Sequence, residues 1–288
     1  MFLRGITRIK RTLQSRYVIN FGRQRQKFSR YKHKRYLPTL NRFDQAIVDD
    51  IQKAGAAITS LNALYGSKMG LSFDMKAACD ILSNPKNIMQ SPKNYFAEAS
   101  LEQLSSAPQL IRWGLEERFL SIAEKYIGLP IAYRGLVLRK DFADGKSLET
   151  RQWHRDAEDA KILKIIVYIN DVSDTGGPFR FLPHYFSPNE KRIKYIDDRV
   201  SETHMEELVS TDKFRKCIGL SGTVIFVDTA RVWHHGCIPT GEDRLTAFYA
   251  YNSQNPLRPQ YCQPLFPRES IAGSTLTNTQ NSSITYHY

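Results

Sequence analysis

Apolar positions in the first half of the chain recur at helical spacing, and near residue 130 the pattern switches to short continuous or alternating runs. RFDQAIVDDIQKA (42–54) has the helical period and ends at Gly55, which predicts a helix with a glycine C-cap. AAITSL (56–61) follows as a short strand. From 106 to 127, Leu110, Ile111, Leu115, Phe119, Ile122, Ala123 and Tyr126 mark one long amphipathic helix, stopped by Gly128 and Pro130. Seven strand candidates then follow at short spacing: 132–140, 150–156, 161–171, 178–185, 222–228, 230–236 and 244–252. TGG and PTGED supply turns, and Ser201 caps a short helix over 201–210.

Helices first and strands afterwards predict a mainly β protein with flanking helices, as a sandwich or barrel with helices on one face. A parallel α/β sheet would need helices between the strands, and the pattern has none to offer. The organisation read from the sequence is a basic arm over 1–36, one domain over 37–267 and a polar mobile tail over 268–288 rich in Ser, Thr and Asn.

Charge changes the picture in one place. The net charge is +12, but residues 1–36 carry twelve Lys and Arg and no Asp or Glu, so the remaining 29 basic and 29 acidic residues balance. A neutral body argues against a nucleic-acid partner. Within the arm, Phe2, Ile6, Ile9, Leu13 and Tyr17 form a helical stripe with arginines largely off it. That pattern fits an amphipathic helix in peripheral membrane contact through residues 1–20, a tail that docks on an acidic partner, or equally a solvated flexible arm. A cytoplasmic location follows, the alternative being an organellar protein with residues 1–36 as a cleavable presequence. No run of 18 apolar residues is present, so no transmembrane helix is predicted. The four cysteines (Cys79, Cys217, Cys237, Cys262) are scattered without a CxxC pair, which argues against a zinc ribbon or disulfide framework.

Candidate chemistry starts at RQWHRD (151–156). On a strand, residues two apart share a face, so His154 and Asp156 point together. An imidazole and a carboxylate are two-thirds of a facial metal triad, which with a second imidazole leaves open positions on Fe(II). The third ligand comes from VDTARVWHHGCIPTGEDRLTAFYAY (227–251), as His234 or His235. Arg244 starts the returning strand and can grip a carboxylate with its planar fork, and Thr246 shares its face.

These segments resemble the Fe(II)/2-oxoglutarate-dependent oxygenases of the phytanoyl-CoA dioxygenase-like family over roughly residues 45–255. WHRD resembles the tryptophan-flanked HxD segment, YINDVSDTGGPFRFLP the strand, acidic turn, glycine and strand that follow it, and WHHG with Arg244 the distal histidine and cosubstrate arginine. The resemblance implies a double-stranded β-helix, a jelly-roll or cupin-like barrel. It implies Fe(II), 2-oxoglutarate and O2 as cofactors, and hydroxylation of a small-molecule or lipid-like substrate with release of succinate and CO2. His154, Asp156 and His234 would bind iron, with His235 as the alternative third ligand. Arg244 would bind the cosubstrate beside Thr246. His234 is favoured because an H-x-G order recurs in such proteins, turning Trp233 and His235 outward. Related halogenases carry Gly or Ala in place of Asp156, which favours hydroxylation. Where the family often has PGSH, this chain has PHYF (183–186), so substrate contacts do not carry over there.

Several residues keep two readings. Gln152 shares the inward face and either touches the substrate or cosubstrate or fills the barrel. Lys161 and Lys164 either approach 2-oxoglutarate or are solvated. Asp228 is expected to order the turn before the distal histidine. The alternative to an oxygenase is a zinc-binding or non-catalytic jelly-roll module, recruited by the basic arm to a membrane or acidic partner.

Overall fold

The structure is a computed structural model that describes residues 19–66, 73–84, 88–271 and 275–285. The stripe expected over residues 1–17 lies outside the described residues. The second half of the arm does not: residues 19–33 form a helix, α1, built into the body. Gln26 on its inner face is buried and donates to Asp159 Oδ1 at 2.6 Å and to the Asn255 carbonyl at 2.9 Å. Arg30 donates to the Ile127 carbonyl at 2.9 Å, satisfying a carbonyl at the end of a neighbouring helix.

The helix expected over 42–54 is α2 (Arg42–Ala54), capped by Asn41 and closed by Gly55 at φ 93°. β1 (Ala56–Ser60), α3 (Leu61–Tyr65), α4 (Met75–Ser83), β2 (Ile88–Gln90) and β3 (Phe96–Ala99) follow. The single long helix expected over 106–127 is instead α5 (Leu101–Ser106), α6 (Pro108–Trp113) and α7 (Glu117–Ile127). Pro108 has no N–H to extend α5 and so opens α6. Gly114 follows the last residue of α6, and only glycine fits there, because a Cβ would lie 2.4 Å from Tyr249 and 2.7 Å from Tyr133. The carbonyls freed at this break are taken by buried tyrosines: Tyr249 donates to Leu110 at 2.8 Å, Tyr133 to Ile111 at 2.9 Å and Tyr251 to Gly114 at 2.6 Å.

The remaining elements are β4 (Ile131–Asp141), β5 (Leu163–Tyr168), β6 (Phe179–Leu182), α8 (Glu202–Leu208), β7 (Arg215–Cys217), β8 (Thr223–Asp228), β9 (Trp233–Gly236), β10 (Arg244–Ser253) and α9 (Asn278–Ile284). All strand pairs are antiparallel. Seven strands make a large sheet in the order β1-β8-β5-β10-β4-β3-β2, and three make a small sheet, β7-β6-β9. After β4 and β5 in the large sheet the chain crosses to the small sheet for β6 and β7, returns for β8, crosses again for β9 and returns for β10, the back-and-forth winding of a double-stranded β-helix. Residues of the large sheet's outer face, such as Leu136, Leu163, Val224 and Tyr249, pack with α2, α6 and α7 in one core. Ile166, Tyr168, Phe179, Phe181, Ile225 and Val227 fill part of the space between the sheets.

A further expectation is corrected. Residues 150–156 are not a strand. A 3-10 turn at Glu149–Arg151 leads into single antiparallel bridges, Trp153 with Val200 and His154 with His234. The buried Arg151 guanidinium pins this turn by donating to the carbonyls of Tyr95 at 2.8 Å and Phe142 at 2.7 Å, contacts that no local pattern reveals. In the tail expected to be mobile, α9 is capped by Thr277 and docks through Gln280, which donates to the Leu115 carbonyl at 2.8 Å.

Candidate metal centre

His154 and His234 are joined through their backbones. Each N–H donates to the other's carbonyl at 3.0 Å, which sets the two imidazoles side by side with ring centroids 4.3 Å apart. Asp156 is fixed just beyond the bridge, its N–H donating to the Thr229 carbonyl at 2.9 Å. One ligand atom from each of His154, Asp156 and His234 lies within 4.8 Å of the others. The turn that presents β9 is ordered by Asp228, which accepts from the N–H groups of Ile162 at 3.2 Å and Ala230 at 3.1 Å and from the Tyr126 hydroxyl at 2.5 Å.

The histidine tautomers are set by the backbone. His154 Nδ1 lies 2.8 Å from the Gln152 carbonyl and His234 Nδ1 lies 3.1 Å from the Val232 carbonyl. A carbonyl only accepts, so both Nδ1 atoms carry the proton and both Nε2 lone pairs are free for a metal. Burial holds His154 well below its ordinary pKa and lowers His234 to about 4, so both rings are neutral. Burial pushes Asp156 upward, but the Lys164 ammonium, with Nζ 2.6 Å from Oδ2, outweighs it and keeps the carboxyl ionised. The donor set of two neutral imidazoles and one carboxylate is therefore ready without further deprotonation.

His235 takes no part. It turns to the outer side of the small sheet, packs at a tilt against Trp153 with ring centroids 4.3 Å apart and lies 3.6 Å from Glu202, under α8. Trp153 and Trp233 are buried on that same side. Gln152 contributes its carbonyl to orient His154, and its side chain is not among those lining the cavity beside the two histidines.

That cavity holds about 200 Å³ between the sheets. Arg244 and Thr246 line it, as the alternation along β10 requires, and Arg139 and Lys164 join them from β4 and β5. Arg244 is already partly engaged: Nη2 donates to Asp141 Oδ2 at 2.8 Å and Nη1 to the Gly177 carbonyl, while its buried Nε has no partner among the described residues. Asp141, fully buried, accepts on its other oxygen from Arg139 at 2.8 Å. Of the two lysines left open by the sequence, Lys164 belongs to the site, whereas Lys161 donates to the Tyr126 carbonyl at 2.6 Å. Sequence reasoning missed Arg139 and Asp141. Their signal was the charged pair two apart at the end of an otherwise apolar strand, GLVLRKD.

No protein-family model matches the chain, and no curated protein matches it in sequence. Solved structures do match. EctD from S. alaskensis, with 2-oxoglutarate and 5-hydroxyectoine, aligns with a TM-score of 0.54 and 18% identity over 87% of this chain and 89% of its own. SnoK, a non-heme alpha-ketoglutarate-dependent carbocyclase from nogalamycin biosynthesis, gives 0.52 and 14% over 75% and 85%. SnoN, an epimerase dependent on the same cosubstrate, gives 0.51 and 15% over 74% and 81%. The chain shares their fold. The double-stranded β-helix expected from the sequence is thereby confirmed.

Proposed function

We propose that this protein is an Fe(II)- and 2-oxoglutarate-dependent oxygenase that hydroxylates an unactivated C–H of a small molecule. The observation that carries the reading is the convergence of His154 Nε2, His234 Nε2 and the Asp156 carboxylate, with both Nδ1 atoms tied back to carbonyls. This donor set fits a ferrous ion and leaves positions open on it. Bound there with 2-oxoglutarate and O2, the iron would supply the oxidising chemistry, with succinate and CO2 as co-products.

The chain's own residues do the rest. His154, Asp156 and His234 hold the metal, and Lys164 orients the Asp156 carboxylate through Oδ2. Arg244, through its unpartnered Nε edge, and Thr246 hold the distal carboxylate of the cosubstrate. Charge supports the assignment. Arg139, Lys164 and Arg244 face Glu98, Asp141 and Asp156, so the cavity wall is balanced before loading. A dication and a dicarboxylate entering together preserve that balance, whereas a zinc ion with water alone would leave two positive charges uncompensated. The apolar faces of Ile166, Phe179 and Phe248 exclude water around the pair. Similar structures are described with 5-hydroxyectoine or in nogalamycin biosynthesis, which supports a small-molecule substrate.

We also infer peripheral contact with an anionic lipid surface through the outer face of α1 and the turn after it. Phe21, Phe28 and Tyr31 are 66%, 59% and 80% exposed there, among Arg25, Lys27, Lys32 and Arg35.

The deciding experiment is anaerobic addition of Fe(II) and then 2-oxoglutarate. A weak visible charge-transfer band that disappears in Arg244→Ala, together with slow succinate release in air, is the expected result. A protein that binds the metal with no band and no succinate would sink the proposal.

A further inference from the structure

A second cavity of about 690 Å³ reaches the same triad from the Asp156 side and shares no lining residue with the cavity of Arg244. Its wall carries four arginines, Arg23 from α1, Arg155, Arg231 and Arg258, against three carboxylates, Asp156, Asp159 and Asp198. Those carboxylates are mostly committed. Asp156 is paired with Lys164 and belongs to the triad. Asp159 is buried and saturated, accepting from Gln26 at 2.6 Å, from the Ser253 N–H at 2.9 Å and from the Ser253 hydroxyl at 2.6 Å. Asp198 remains.

The arginines are less committed. Arg155 pairs with Glu190 and lies over the Trp233 ring at 4.6 Å. Arg231 donates only to the neutral Tyr126 hydroxyl, at 3.2 Å. The side chains of Arg23 and Arg258 make no ion pair or hydrogen bond among the described residues. Arg23 and Arg258 are therefore the two guanidiniums of this wall without a pairing partner among the described residues, Arg231 stands beside them, and Ile19, Trp233 and Leu257 add apolar wall. Unpaired guanidiniums at a concave wall favour an anion with planar or tetrahedral oxygens.

We propose that this cavity is the substrate site and that it takes an amphiphilic acid. A carboxylate or phosphate group meets Arg23, Arg231 and Arg258, and the carbon skeleton lies along Ile19, Trp233 and Leu257 toward Asp156. The substrate role rests on the reading of the triad as an iron centre; the anion preference does not. Two cavities meeting at one triad also give cosubstrate and substrate separate approaches.

The test uses the full chain loaded anaerobically with Fe(II) and 2-oxoglutarate, titrated calorimetrically with hexanoate, hexyl phosphate and hexanol. At least one of the two anions is expected to bind about tenfold or more tightly than the neutral alcohol, and which one does so identifies the headgroup. In the double variant Arg23→Gln/Arg258→Gln that preference should disappear, with 2-oxoglutarate affinity as the internal comparison. Equal binding of all three probes, no binding of either anion, or a preference that survives the double substitution overturns the proposal. So does equal weakening of 2-oxoglutarate, because the cavities would then not be separate sites. If the protein takes up no metal, the titration is repeated on the unloaded chain. An anion preference there that needs Arg23 and Arg258 would sink the iron reading and leave the anion site standing.

Discussion

His234 and His235, adjacent on β9, occupy opposite environments: the first lies 4.3 Å from the ring of His154, and the second lies 4.3 Å from the ring of Trp153. Strand alternation makes this obligatory, since only one of two neighbours can face the space between the sheets. The two alanine variants should therefore separate. His234→Ala is expected to lower Fe(II) affinity by at least about 100-fold with a folded protein remaining. His235→Ala opens a hole beneath α8 and should cost about 2 kcal/mol of stability while metal binding persists. Metal titration and thermal melts on the same preparations decide it. Metal loss in His235→Ala alone would reverse the assignment.

Asp141 lies between two guanidiniums, 2.8 Å from Arg139 Nη2 on one oxygen and 2.8 Å from Arg244 Nη2 on the other. Burial raises its pKa, but Arg244 and then Arg139 outweigh that and hold it ionised. Asp141→Asn leaves two buried cations without their shared partner, a loss of about 3–5 kcal/mol, or roughly 10 °C in Tm. Arg244→Ala keeps the Arg139–Asp141 pair, so its main effect should be on 2-oxoglutarate affinity, weakened about 100-fold. Similar Tm losses with unchanged cosubstrate binding would make Arg244 a purely structural residue.

How much of this was readable beforehand follows the range of the forces involved. Period-2 alternation placed Arg244 and Thr246 on one face, and that needs only the strand itself. The tryptophan-flanked HxD and the distal histidine were likewise visible. What the sequence hid is non-local. Arg151 converts the segment before His154 into a turn by reaching carbonyls of Tyr95 and Phe142. Tyr133, Tyr249 and Tyr251 accommodate the break at Gly114 within an otherwise helical pattern. Gln26 and Arg30 draw half of a seemingly free basic arm onto the body. In each case one polar side chain satisfies backbone or buried groups far along the chain, and periodicity carries no trace of such pairing.

Lys164 offers a sharper test of the metal site, because it supplies the cation that Asp156 lacks when no metal is bound. In Lys164→Met the unloaded protein holds a buried carboxylate without its partner and should lose about 3 kcal/mol. A divalent ion restores the missing charge. The rise in Tm on adding Fe(II) anaerobically is therefore expected to be larger in Lys164→Met than in the parent protein. An equal or smaller rise would mean that the ion does not bind at Asp156.

Glu116 makes stability depend on pH away from the site. Burial raises its pKa from 4.5 to about 7, against the opposing effects of Tyr65, whose hydroxyl lies 2.9 Å from Oε1, and Arg118. The folded state thus binds this proton more tightly than the unfolded chain. Its contribution is full below about pH 4.5 and is lost as pH rises through about 7. Because Glu116 is partly exposed, solvent screening limits the effect to about 1 kcal/mol. Urea denaturation at pH 5 and pH 8 should show Glu116→Gln losing less stability over that interval than the parent. An identical loss in both proteins would remove Glu116 as the cause.

The outer face of α1 carries two forces that act together at a membrane and separately elsewhere. Aromatic rings at Phe21, Phe28 and Tyr31 favour the lipid interface, and the surrounding cations favour anionic headgroups by about 1 kcal/mol each near the surface. Among the described residues no helix is long and apolar enough to cross a membrane. Co-sedimentation with phosphatidylcholine vesicles that contain phosphatidylserine as the anionic lipid should retain the protein at low salt. Pure phosphatidylcholine should not. Phe21→Ala/Phe28→Ala should weaken retention about tenfold, and a purely electrostatic patch would not respond to that change. Retention that depends on the lysines and arginines but ignores both phenylalanines would instead mark a surface for an acidic polymer, and the lipid assignment would fail.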